Sequence, residues 1–484
     1  MELKIIKDLA EDSRKHSFIL TAIVIGSFIS IYQSVSLNVS LPGFITIFQT
    51  DLATVQWLMT GFTLATGMIA SLCGYLGNRF GTRELFLFSI IGLMISSILC
   101  AFAWNIGSLI VFRIIQGVFC GVIQPVTLTI IYQMLPEHKH SMALGLWSAS
   151  SVLGPALAPT ISGWLQVWNW PLIFLVIIPF GLTALIFGWI SLERKIDPSK
   201  VSFDGKGMIG ILFSSLTLLV LFSNLHEWGI LSGKSIVCLV TGVLFLVHFI
   251  WRGLRVKEPL LELRLFTNKI FALSTAISVI LISSLFTGIY FIPLYLLEIH
   301  QMTAAEVGIL LLPPALSMAL ATTVSSKYYE KIGPKLLILT GTLFLLIATW
   351  KFSQLTIESA PATVMLWMTF RYIGLGLSMN ATINAGMNAV PANLAGDAAS
   401  LLNWTRQITG AMSVGIFTSF FYTRIALYET EHTISSVAYV KGLNDVFVAA
   451  TILTCLSIPF SLLLYRKKDI QKGKMIEADI QKSG

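Results

Sequence analysis

Fourteen apolar blocks recur along the chain, at about 17–37, 55–77, 85–103, 107–130, 142–163, 171–191, 208–225, 233–251, 271–297, 306–326, 335–350, 362–387, 404–423 and 444–465. Most match the run of about 20 residues that a helix needs to cross roughly 30 Å of hydrocarbon. The blocks are long and unbroken, without the short alternating segments of a membrane barrel, so the pattern predicts an all-α integral membrane protein with 14 transmembrane helices. The few polar positions inside or at the ends of the blocks then stand out. Gln33, Ser34, Ser36 and Asn38 close the first block in the run YQSVSLNVSLP (32–42). Arg113 and Gln116 lie three apart, on one face of the fourth. Asn380, Asn384 and Asn388 form a stripe along the end of the twelfth.

The pattern also repeats. NRFGTR (78–83), LIVFRIIQG (109–117) and LPEHKHSMALG (135–145) follow one another in the first half. EKIGPK (330–335), WMTFRYIGLG (367–376) and VPANLAGDAAS (390–400) do so in the second. Glycine and arginine are 32 residues apart in one copy (Gly81 to Arg113) and 38 in the other (Gly333 to Arg371). A six-helix unit therefore occurs twice, with two extra spans between the copies. The expected organisation is an N-terminal bundle over 1–192, a two-helix insertion with its flanking loops over 193–270, and a C-terminal bundle with a basic tail over 271–484. Transporters built from repeated halves hold substrate between the halves.

Charge sets the orientation. With the N-terminus inside, about 25 of the 32 Lys and Arg fall on the cytoplasmic side and about 4 outside, as the positive-inside rule requires. An even number of spans returns the C-terminus, with its RKKDIQKGK tail, to the cytoplasm as well. The remaining basic residues, Arg113, Arg371 and Arg406, sit in or at the edge of spans, where a charge is costly and is kept for function.

Composition agrees with membrane residence: 55% of residues are hydrophobic, 12% are charged, and the mean hydropathy is +0.81. The net charge of +8 is explained by cytoplasmic loops, so no nucleic-acid partner is expected. Cys73, Cys100, Cys120, Cys238 and Cys455 all lie in apolar blocks without ligand-like spacing, which points to free thiols and no metal site. The N-terminal MELKIIKDLAEDSRKH mixes acids with bases, and no small-residue cleavage pattern follows, so a cleavable signal is not expected.

Several motifs carry a family resemblance. GYLGNRFGTR (Gly74–Arg83) resembles the G-x-L-a-D-R-x-G-R-K signature between the second and third spans of the major facilitator superfamily. Gly74, Arg79, Gly81 and Arg83 match, while Asn78 stands where the family usually has Asp. LIVFRIIQGVFCG resembles its L-x-x-x-R-x-x-Q-G motif through Arg113 and Gln116. SSVLGPALAPTISGW resembles the antiporter signature G-P-x-x-G-P-x-x-G-G through Gly154, Pro155, Pro159 and Gly163. Glu330 and Gly333 belong to the second copy of the loop signature. VSFDGKG and KEPLLELRLFTNKIF look like the connections that flank the extra helices in the 14-span drug:proton antiporters. The resemblance implies the major facilitator fold, two pseudo-symmetric six-helix bundles plus two inserted helices, in a bacterial cell (inner) membrane.

What the resemblance implies functionally is secondary active export of small amphipathic compounds, such as drugs and toxicants, driven by protons. The alternative is a dedicated exporter of one anionic or zwitterionic metabolite, siderophore-like or lipid-like, with atypical coupling. The partners expected are a small-molecule substrate, protons and the bilayer, joined by a periplasmic adaptor in a Gram-negative cell. No cofactor is expected. No zinc-protease, P-loop or Ser/His/Asp constellation appears and the loops are short, so neither an enzyme nor an ATP-driven pump is expected.

One departure matters most. Aligning Asn38 and Pro42 with the family's first span places Gln33 where an acid usually stands, and an amide cannot carry a proton at physiological pH. None of the 24 Asp and Glu lies near the middle of a block. Glu298, at the outer end of the ninth block, is therefore the candidate proton site, with Arg113 and Arg371 in the same outer half. Asp397 and Asp445 are expected near helix starts. Trp57, Tyr290, Asn380 and Asn384 complete the candidate cavity lining.

Overall fold

The computed structural model describes residues 2–37, 40–50, 52–194, 204–229, 231–256, 259–430 and 435–464. Among them it contains helices and no strands. The first set is α1 (Glu2–Val35), α2 (Leu41–Phe48), α3 (Leu52–Ala70), α4 (Cys73–Phe80), α5 (Thr82–Ala101), α6 (Ile106–Met134), α7 (Glu137–Trp168), α8 (Leu172–Leu175) and α9 (Ile177–Ser191). Two further helices follow, α10 (Gly205–Trp228) and α11 (Gly233–Arg255). The last set is α12 (Lys269–Glu298), α13 (Ala304–Ile332), α14 (Pro334–Phe352), α15 (Pro361–Asn388), α16 (Ala395–Thr430), α17 (Ser435–Cys455) and α18 (Ser457–Leu463).

Ten helical stretches among the described residues are long and apolar enough to cross a membrane, and an eleventh if the bent pair α3–α4 is one span. The long helices α7, α15 and α16 are not among these. The all-helical membrane architecture stands, without the count of 14 being matched.

Two boundaries shift in ways that matter. GYLGNRF, expected as a short connecting turn, is helical: it forms most of α4, bent by 56° from the helix before it. The turn itself is one residue, Gly81. The final span begins at Ser435, nine residues before the apolar block, so Asp445 lies well inside α17 instead of at its start.

The described chain divides into two compact units. The first runs to Leu263 and takes in Thr303–Ile309 and Pro391–Ser419; the second comprises Arg264–Met302, Leu310–Val390 and the chain from Phe420 onward. In the first, α6 packs along both α3 and α5, and α1 lies against α7 and α9. In the second, α15 packs along α14 and α12.

The repeat seen in the sequence is also local geometry. Gly81 and Gly333 both adopt positive φ, at 94° and 86°, and each is the residue before the next helix. A side chain at either would be strained in that conformation, which is why both copies of the loop keep a glycine there.

The segment before α10 also has a defined role. Asp204 caps that helix by accepting from the Gly207 N–H at 2.9 Å, and it pairs with Arg252 Nε of α11 at 2.6 Å. The carboxylate is buried, so its loss removes a cap and leaves a guanidinium without its partner. Asp204→Ala is expected to cost about 3 kcal/mol, read as a lower unfolding temperature of the detergent-purified protein. An unchanged melt would refute that role.

Candidate functional site

The first unit is organised around Arg113. Its side chain is fully buried, and every hydrogen bond it makes goes to an uncharged oxygen. Nε donates to the Leu58 carbonyl at 3.2 Å, Nη1 to Gln116 Oε1 at 2.5 Å, and Nη2 to the Gln33 backbone carbonyl at 3.3 Å. Gln116 in turn donates to Ser97 Oγ at 2.6 Å. The guanidinium lies 4.1 Å from the Phe62 ring centroid, a cation–π contact that adds to its compensation. The face shared by Arg113 and Gln116 is thus a working pair: the amide oxygen takes one N–H and the amide nitrogen ties the pair to α5.

Gln33 is buried beside this network. Its side-chain oxygen accepts from Ser36 at 3.3 Å, while its Nε2 has no acceptor among the described residues. The Tyr32 hydroxyl, also buried, is likewise unpaired. Buried polar groups are normally satisfied, so each of these open groups marks a place where a polar ligand atom or water can enter. Asn38 lies outside the described residues.

The second unit holds the equivalent arginine differently. Arg371 is fully buried and bonds through Nη2 to the Ser284 carbonyl and hydroxyl. Its Nε and Nη1 have no acceptor among the described residues. The reason is legible in the sequence: three residues after Arg113 comes Gln116, whereas three after Arg371 comes Gly374. The three stripe asparagines of α15 are taken up by hydrogen bonds: Asn380 donates to Ser326 Oγ at 2.5 Å and Asn388 to Asn384 Oδ1 at 3.0 Å. Trp57 and Tyr290 are exposed, and Arg406 is half-buried on α16. Glu298 is exposed and, among the described residues, makes no ion pair, nor does a carboxylate pair with Arg113 or Arg371.

The loop signature packs at one end of the first unit. Thr82 donates to Gln133 Oε1 at 3.0 Å, and Gln133 donates to the Ala392 carbonyl at 3.4 Å, tying the turn at Gly81 to the segment before α16. Arg83 donates to the Trp189 carbonyl at 3.0 Å and stacks on its ring. Arg79 and Glu330 are exposed. Gly154 of the antiporter-like motif brings α7 against α1: a Cβ there would meet Ile31 at 2.8 Å. Pro155 and Pro159 lie within α7, which runs on unbroken, and Gly163 is half-buried.

Sequence reading missed two groups. Asp397 lies at a helix start as expected, the third residue of α16, but it is 6% exposed and packed on Gly74 of α4. Burial, with the negative Glu262 nearby, pushes its carboxyl up to about 7, against a hydrogen bond from Asn78 that pulls it down. The small-residue run AGDAAS around it was the available signal of close packing. Arg424, Tyr428 and Asp445 form the other group, with Arg424 Nε 2.5 Å from the carboxylate and the tyrosine hydroxyl 2.8 Å from it. The four-residue spacing of Arg424 and Tyr428 was the only hint.

Comparison with known proteins fits this arrangement. The family model of the Major Facilitator Superfamily matches residues 23–414. The chain belongs to the major facilitator superfamily. Superfamily relatives include the lincomycin resistance protein LmrB of Listeria innocua, 28% identical over 93% of this chain and 97% of that protein. The tetracenomycin C resistance and export protein of Streptomyces glaucescens is also 28% identical, over 82% of this chain and 74% of its own length. Among solved structures, the human organic anion transporter MFSD10 superposes with a TM-score of 0.64 over 90% of this chain and 99% of that one, at 14% identity, a likeness of fold. The superfamily assignment makes this chain a multi-pass membrane transporter and not an enzyme.

Proposed function

We propose that this protein exports small amphipathic compounds by alternating access, driven by proton antiport, with both termini in the cytoplasm. The observation that carries the reading is the near full-length match to a lincomycin resistance protein. The tetracenomycin C exporter supports the same direction of transport. In this reading the loop signature around Gly81 works at the cytoplasmic end and the arginine network lines the substrate path.

The arginine network narrows the substrate. Two fully buried guanidinium groups without carboxylate partners give positive potential, which favours neutral, zwitterionic or anionic amphiphiles over lipophilic cations. The open donors of Arg371 favour, as a second reading, a dedicated exporter of one anionic or zwitterionic metabolite.

The test is lincomycin accumulation in cells with and without the protein, before and after an ionophore collapses the proton gradient. Lower accumulation that the ionophore abolishes is expected; accumulation unaffected by the protein would refute lincomycin export. Gln33→Asp should place a carboxylate at the position whose backbone already accepts from Arg113. The expected result is ethidium export that the wild type lacks, and no gain of cation export would count against this view of charge selection.

A further inference from the structure

No acid occupies the first-span position at Gln33, so a proton-driven transporter must bind its proton elsewhere. Among the described acids, Asp397 differs from the rest. Its side chain is buried, and it forms no ion pair among the described residues. It is pressed against backbone: a Cβ built on Gly74 would lie 2.7 Å from its Oδ1 and 3.1 Å from its Cα. Only a residue without a side chain allows so close an approach. Asn78, on the same short helix α4, donates to the carboxylate.

We propose that Asp397 is a proton-binding carboxylate, protonated while α16 packs on Gly74 and Asn78 and ionised when that packing opens. The proposal rests on the proton-antiport reading for its role in transport, although the proton site itself can be tested without it.

Among the described residues, Asn78 and Glu262 bear on the Asp397 carboxylate. Asn78 offers a hydrogen bond that favours the charged form, as does the N-terminus of α16, whose dipole stabilises a negative charge in its first turn. Glu262, from the segment after α11, is a like charge and favours the neutral form. The other titratable groups of α4 are Tyr75, Cys73 and the exposed Arg79. From α6, Thr129 comes within 3.8 Å of a Cβ built on the adjacent Gly396 and Gln133 donates to the Ala392 carbonyl; neither side chain titrates.

The sign follows from burial. The packed carboxyl titrates near 7 and an exposed one near the ordinary 3.8, so packing takes up a proton between those values. Packing is then favoured at low pH and weakens as pH rises towards about 7, above which the penalty is complete. With the termini in the cytoplasm, opening this contact releases the proton on the cytoplasmic side.

Infrared titration of the purified full-length protein tests this directly. A carbonyl stretch of a protonated carboxyl is expected to disappear with a midpoint near neutral pH, and to be absent in Asp397→Asn. Glu262→Gln should lower the midpoint and Asn78→Ala should raise it, each by about half a pH unit or more. If Asp397→Asn does not fold, these two shifts still decide. A neutral-range band that survives Asp397→Asn, or midpoints that stay put or move the wrong way, overturns the proposal.

A second readout reports the packing. Cys73, next to Gly74 and buried, should react with maleimide faster as pH rises, after correction for the same thiol in the unfolded chain. Asp397→Asn should remove that excess, and an excess that persists counts against the proposal. Ionophore-insensitive lincomycin export with the titration intact would instead overturn proton-driven export and leave the proton site standing.

Discussion

Arg113→Lys is expected to reduce export at least tenfold while the protein still accumulates in the membrane. The substitution keeps the charge, so a loss cannot be assigned to altered potential alone. What it removes is geometry. Three oxygens, from Leu58, Gln116 and Gln33, are reached by three different nitrogens of one planar group. An ammonium is a compact point charge on a flexible stem and cannot occupy those three directions from the same backbone position. It also forfeits planar stacking on Phe62. A buried cation with lost partners costs about 3–5 kcal/mol, enough to distort α1 and α3 around the open groups of Gln33 and Tyr32. Export of lincomycin in cells with matched protein levels is the measurement, and wild-type export by the lysine variant would show that the network is mere packing.

The second large effect is on folding. Gly341 of α14 and Gly374 of α15 face each other so closely that a Cβ on either would lie 2.5 Å from the other's carbonyl oxygen. Both obstacles are backbone, so no rotamer change relieves them. Inside a bilayer, association of helices depends on such close approach, because apolar side chains gain little by leaving lipid for protein. Gly374→Val is expected to cost more than about 3 kcal/mol, exceeding ordinary overpacking because main chain must move. Little monodisperse protein should survive extraction, by fluorescence-detected size exclusion. Gly308→Ala is the matching control. Nothing lies within 4 Å of a Cβ there, and a helix gains slightly from the replacement. Equal yields from the two variants would refute the packing account.

Much of the architecture was legible because lipid leaves few choices. Apolar length gave the helices, and the recurrence of Gly81 and Gly333 marked equivalent turns with the same positive φ. The blocks misplaced helix ends, because helices continue past the hydrocarbon into water, where composition no longer reports them. Asp445 was misjudged for that reason. Arg113 with Gln116 could be read as a pair from spacing, whereas the backbone acceptors that complete it could not, since carbonyls leave no trace in a sequence. The position of Asp397 near a helix start could be read, but not its burial. Its burial comes from a glycine more than 300 positions earlier, and only the fold brings Gly74 to it.

The length of α16 has a mechanical consequence. Its 36 residues span about 54 Å, well beyond the roughly 30 Å of hydrocarbon. Asp397 therefore rides about 25 Å from the midpoint, near the tip of a stiff lever. A tilt of about 10° about that midpoint carries the tip through roughly 4 Å. That stroke is enough to lift the carboxylate off Gly74 with every hydrogen bond of the helix intact.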